Sequence, residues 1–181
     1  LLKIVTSPDP FLRKTCKEST VGDKALVKAA KQMAKLMYSS NGCGIAAPQV
    51  GLDERLVVID VDWDPDDPKS KNPIVLVNPV IEELKGDPVE NKEGCLSCPG
   101  LNVPVARQPW ARVSFFDLDG EEWELEGDGL LGRCLQHEID HLNGITLFES
   151  CVPRAKARVL AAYEEALAKG AKPGDTIIEV D

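Results

Sequence analysis

No stretch of the 181-residue sequence approaches the roughly 18 consecutive apolar residues that a spanning helix requires. No basic region leads into an apolar one at the start, Leu1-Leu2-Lys3-Ile4-Val5, so no signal peptide is expected. Neither a membrane role nor secretion is therefore indicated, and the expected compartment is the cytoplasm. Positive charge is also short, with 21 Lys and Arg against 30 Asp and Glu and a net charge of −9. That argues against nucleic acid as a direct partner, since phosphate binding needs a basic face. Internal repeats and low-complexity segments are absent. Histidine is limited to two residues, which confines any imidazole chemistry to one place.

The length fits a single domain spanning residues 1–181. It can bury a core without disulfides. The six cysteines, in a chain without a secretion signal, are expected to serve in metal ligation, catalysis or burial.

Helical spacing of Leu26, Ala30, Met33 and Met37 predicts a helix over 23–40, stopped by Asn41-Gly42. The two Met are expected to be core. The β-branched run 55–60 predicts a strand. Residues 63–73, rich in Asp, Pro and Lys, predict a loop. Strands are expected at 74–77 and 80–84, around Asn78-Pro79, and at 103–107. A hairpin is expected over 111–125, turning at Asp119-Gly120. A helix is predicted over 129–142, and an amphipathic one over 153–170, from Pro153 to Gly170. A strand is expected at 176–180. The fold class is α+β: short, mostly antiparallel sheets around a central metal-binding helix, with N-terminal and C-terminal helices.

Both histidines lie in His137-Glu138-Ile139-Asp140-His141. On a helix, positions four apart share a face, so both rings can bind one metal ion. Glu138 beside them can act as a general base on bound water. A third ligand is needed. A histidine six residues further on is excluded, because Leu147 stands there. Glu164 or Glu165 on the last helix would make a peptidase-like site. Cys95, on the turn Glu93-Gly94-Cys95-Leu96-Ser97, is the better candidate: its thiolate and two imidazoles leave one position for water. Cys95 and Cys98 also form a C-x-x-C pair, which leaves a structural zinc site or a redox pair to weigh. The first has spacing unlike a zinc finger, and the second lacks a helix start, since Pro99-Gly100 breaks helix. A third segment, 42–49, combines glycines and alanines with Gln49. It has no Lys-Ser/Thr ending and is no phosphate loop. It reads as a cleft wall whose backbone pairs with an extended peptide.

Three motifs in this order, GCGIAAPQ at 42–49, EGCLS at 93–97 and QHEIDH at 136–141, resemble the peptide deformylase family. The likeness covers roughly residues 1–150 and includes Ile4 to Arg13 and Leu147-Phe148. It implies hydrolysis of the formyl group from formyl-methionyl nascent peptides, with release of formate. It implies Cys95, His137 and His141 as ligands of one divalent ion, natively ferrous iron, with zinc, nickel or cobalt as substitutes. Glu138 would be the acid/base, and the Gln49 amide and Leu96 N–H would stabilise the oxyanion. Gly44 and Ile45 would hold the substrate backbone. Cys43, Glu93, Leu130, Cys134 and His137 would line the pocket for the leading Met, and Gly94 would also bind substrate. Departures from the usual pattern are Cys98 and Cys43, where aliphatic residues are common, and Gly132 in place of Ala.

The last helix carries five cations between residues 153 and 172, against Glu164 and Glu165, a local net of +3. In an acidic chain that suggests a ribosome contact, with a solvated helix face as the plainer reading.

Overall fold

The computed structural model describes residues 1–181, as a mixed α+β arrangement built on two sheets. Helix α1 spans Lys24–Ser39 and is capped by the Asp23 carboxylate, which accepts from the Ala25 N–H. The chain leaves it through Asn41, whose φ is 55°. Strands β1 (Gly44–Ala46), β2 (Leu56–Ile59), β3 (Ile74–Lys85), β6 (Trp110–Phe116) and β7 (Glu122–Gly127) form the larger sheet, in the order β1-β2-β3-β6-β7. All of its pairings are antiparallel.

The run of four buried residues in β2 has a direct cause. Leu56 and Val58 face α1, where Met33 and Met37 pack with Ile45 and Val77. Val57 and Ile59 face the opposite way, towards helix α2 (Gly129–Leu142), with Leu76 and Val113. A strand covered on both faces has no reason to alternate. Met33 and Met37 are fully buried, so truncating either to Ala should cost about 2–5 kcal/mol.

The second sheet holds β4 (Val89–Glu93), β5 (Gly100–Arg107) and β8 (Thr176–Glu179). Its β5–β8 pairing is the one parallel pairing among the strands. A third apolar cluster lies beneath it. There β5 packs on Leu147 and Val152 and on helix α4 (Lys156–Ala168), through Val159 and Tyr163. The short helix α3 (Leu147–Ser150) is capped at Thr146.

Three expectations change. Residues 44–46, for which no strand is expected, form the edge strand β1. The segments either side of Asn78-Pro79 form one strand, β3, with a register shift between Val77 and Val80. Asn78 sits there at φ 51°. Its side chain accepts from the Ser19 N–H at 2.8 Å and donates to the Ser19 carbonyl at 2.9 Å, which holds the irregularity in place. Strand β4 was not expected at all. Only Glu93 of its five residues is buried, so it has no apolar signal to read.

Helix α2 is the element that positions the site. Its apolar side, Leu135, Ile139 and Leu142, is driven into the larger sheet. Gly132 allows the approach, because a Cβ there would come within 2.7 Å of the Pro109 carbonyl oxygen. The unusual glycine thus has a local reason. No helix is long and apolar enough to cross a membrane.

Candidate metal centre and substrate cleft

One helical turn separates His137 from His141, and both leave α2 on the side facing the end of β4 and the turn after it. Cys95 arrives from that turn. A ligand atom from each of Cys95, His137 and His141 lies within 4.8 Å of the others, and the Cys95 Sγ is 3.3 Å from His141 Nε2. His141 is 1% exposed.

The orientation of His137 is fixed from behind. Its Nδ1 is 2.8 Å from Glu93 Oε1, which leaves Nε2 free to bind a metal. Glu93 in turn receives Arg107 through Nε at 2.6 Å and Nη2 at 2.9 Å, and Arg133 at 2.6 Å. Arg107 also reaches Asp140 at 3.0 Å. Burial would raise the Glu93 carboxyl, but hydrogen bonds from His137 and Arg107 outweigh it and hold it at about 2. It is therefore an anion at neutral pH.

Glu138 shows the opposite balance. Burial pushes its carboxyl up to about 7, against the opposing charges of His137 and Arg107. Its Oε1 is buried without a hydrogen-bond partner. A carboxylate in that state suits proton transfer near neutral pH. Gly44 makes room for it, since a Cβ there would fall 2.6 Å from Glu138 Oε2 and 2.7 Å from Cys134 Sγ.

Gln49 is 1% exposed and doubly anchored. Its Oε1 accepts from the Ala46 N–H at 2.9 Å, and its Nε2 donates to Ser97 Oγ at 3.1 Å, 3.5 Å from Cys95 Sγ. The N-terminal segment clamps both partners, with the Val5 N–H on the Gln49 carbonyl and the Ser7 N–H on the Ser97 carbonyl. The Leu96 N–H makes no hydrogen bond within the protein. The Leu96 side chain packs against Gly42.

These groups surround a cavity of about 290 Å³. Of the expected pocket residues, Cys43, Gly44, Glu93, Gly94, Leu130 and Cys134 line it. Ile45 does not. Its side chain is fully buried. The Asp60 N–H donates to the Cys43 carbonyl, so ladder alternation turns the Ile45 backbone towards β2 and that of Gly44 towards the open edge of β1. Cys98 is buried beside Ser7 and packs in the third cluster. Glu164 and Glu165 are exposed on α4, with Glu165 paired to Lys169.

The polypeptide deformylase family model matches residues 1–157. The chain belongs to the peptide deformylase family. A peptide deformylase of Hahella chejuensis is 46% identical over 143 residues, which cover 79% of this chain and 82% of that protein. One from Bartonella tribocorum is 42% identical over 153 residues, covering 84% and 85%. Among solved structures, a peptide deformylase from Legionella pneumophila superposes with a TM-score of 0.84 at 37% identity, covering 94% of this chain and 97% of that one. One from Synechococcus elongatus in complex with actinonin gives 0.81 at 38% identity, covering 98% and 92%. The enzyme is a metal-dependent hydrolase that removes formyl groups from formyl-methionyl nascent peptides.

Sequence reasoning missed Arg107, Arg133, Asp140 and Ser97. Arg133 stands one helical turn before His137, and Asp140 and Ser97 fall inside the motifs, but spacing does not say which partner each would meet. The one available sign was an arginine closing the apolar run 103–106, since an arginine there needs a buried partner.

Proposed function

We propose that residues 1–181 act as one catalytic unit in which Cys95, His137 and His141 hold a divalent ion, ferrous iron in the cell, while Glu138, Gln49 and Leu96 carry out deformylation. The observation that carries this is the convergence of one sulfur and two ring nitrogens beside a buried, unpartnered carboxylate oxygen. A thiolate with two imidazoles suits iron, zinc, nickel or cobalt, and the ferrous assignment rests on family resemblance. Bound there, the ion would supply Lewis acidity and ease the ionisation of water near neutral pH.

The residues of the chain do the rest. Glu138 takes the proton of the attacking water, a role supported by its burial and its unpartnered Oε1. Attack on the formyl carbon places negative charge on its oxygen. The Gln49 Nε2 N–H aimed at Cys95 Sγ at 3.5 Å and the unpartnered Leu96 N–H are the donors beside Cys95. Preorganised donors of this kind are worth roughly 3 kcal/mol each in the transition state. Glu138 then returns the proton to the leaving amine, and formate departs. The peptide backbone runs along the edge of β1 at Gly44. Cys43, Gly94, Leu130, Cys134 and the carbon chain of Glu93 receive the Met side chain. A formyl carbon bears only hydrogen, so a tight cleft rejects bulkier acyl groups.

A formate assay on a formyl-Met peptide tests the reading. The metal-loaded enzyme should release formate, and Cys95→Ala should abolish both release and bound metal. If Cys95→Ala kept its metal and its turnover, the ligand assignment would be wrong.

We also propose contact with the ribosome through the last helix, and with it a cytoplasmic location. The support is the local net of +3 in a chain of −9. Competing with it, Arg154 is paired to Glu90 at 2.7 Å and Lys169 to Glu165 at 3.2 Å. Loss of ribosome co-sedimentation on truncation after residue 152 is the expected result, and unchanged co-sedimentation would remove the idea.

A further inference from the structure

Of the six cysteines, the chemistry assigned above uses only Cys95. Cys98 and Cys151 pack in the third apolar cluster, and Cys16 is buried. A thiol in such a place behaves as a small apolar side chain. Cys43 and Cys134 are placed differently. Both are free and both line the catalytic cavity. Cys134 is buried on α2, and Cys43 is half-buried just before β1.

Strand and helix bring the two sulfurs together. The Cys134 thiol donates to the Cys43 carbonyl at 3.6 Å, and it is also in hydrogen-bond contact with the Cys43 thiol. The next residue shows how closely the two elements run, since a Cβ on Gly44 would come within 2.7 Å of Cys134 Sγ. The Asp60 N–H holds the Cys43 carbonyl at 2.9 Å, so the pair is a fixed part of the wall.

We propose that Cys43 and Cys134 form a reversible oxidation site in the wall of the Met pocket, which hydrogen peroxide converts to a disulfide with loss of substrate affinity and retention of the metal. The inference rests on the deformylase reading, because it needs the Met side chain to lie against this wall. Cys43, the sulfur open to the cavity, attacks one oxygen of the peroxide. The O–O bond breaks, one water leaves and Cys43 becomes a sulfenic acid. The Cys134 sulfur then attacks that of Cys43. The S–O bond breaks, the S–S bond forms and a second water leaves. Two thiols lose two electrons and two protons, and one peroxide becomes two waters. A thiol reductant reverses the change. The link ties the start of β1 to α2 beside Gly44 and removes both thiols from the surface that meets Met. One methylene in an apolar pocket is worth about 10–200-fold, so a loss of about tenfold in kcat/KM is expected, mainly through KM.

The test treats the full-length zinc-loaded enzyme with hydrogen peroxide. It follows the cysteines by peptide mapping, the bound zinc, and formate release from formyl-Met-Ala. Mapping should find Cys43 joined to Cys134, with zinc still bound and kcat/KM lowered about tenfold, and dithiothreitol should restore it. Cys43→Ser, measured against its own untreated activity, should lose the link and most of the sensitivity to peroxide. Cys134→Ser should stop the reaction at the Cys43 sulfenic acid, which a dimedone label reads. Cys95 joined to Cys98 with zinc released overturns the proposal, as does Cys43 driven to sulfinic acid with no link. A link that forms without change in kcat/KM overturns it too and leaves the deformylase reading standing. No formate from the untreated enzyme overturns both.

Discussion

Helix α2 and the turn at 93–98 deliver ligands to the same point, but different forces hold them there. The helix carries His137 and His141 on one rigid face, and its opposite side is packed into the larger sheet. The turn carries Cys95 and Leu96 without regular structure of its own. It is held by distant partners: Gln49 on Ser97, Ser7 on Ser97, and Gly42 beneath Leu96. Ligands on the helix are therefore set by local geometry, and ligands on the turn by contacts made across the fold. Damage to the helix should remove chemistry outright, whereas damage to the supports of the turn should loosen it by degrees.

The largest effect belongs to the helix. Glu138→Gln should keep the metal and lower kcat by about 10²–10⁴-fold. Parallel metal analysis and kinetics check this, and turnover within a few-fold of the parent would refute the general-base role. Next comes Gln49→Ala, which strips an oxyanion donor from beside the turn. A loss of about 10²–10³-fold in kcat is expected, with KM little moved. Glu93→Gln weakens the orientation of His137 without touching the ligand set. Competition with a chelator should show metal affinity falling by roughly 10–100-fold. The smallest effect is Ser97→Ala, which removes only the acceptor that steadies Gln49. About fivefold in kcat is expected, the worth of one hydrogen bond. If Ser97→Ala cost as much as Gln49→Ala, the turn would be as rigidly coupled to the site as the helix, and the two would not differ.

Sequence legibility follows the same division. Helix α2 was readable at both ends, because local periodicity and a following glycine define it. Strand β2 was readable because burial on both faces leaves an unbroken apolar run. The three motifs named the cleft residues, but not what braces them. Arg107 reaches Glu93 from another strand and Asp140 from the helix, and no spacing in the chain encodes such a meeting. Strand β4 stayed hidden because four of its five residues are exposed. The close packing of Gly174 on Ser40 is likewise a property of the folded chain alone.

X-ray absorption at the edge of the bound metal tests the central claim most directly. Sulfur from Cys95 with nitrogen from both histidines predicts, for a zinc-loaded sample, one sulfur at about 2.3 Å, two nitrogens at about 2.0–2.1 Å and one further light atom from solvent. A spectrum with no sulfur neighbour, or with every position filled by protein atoms, would contradict it.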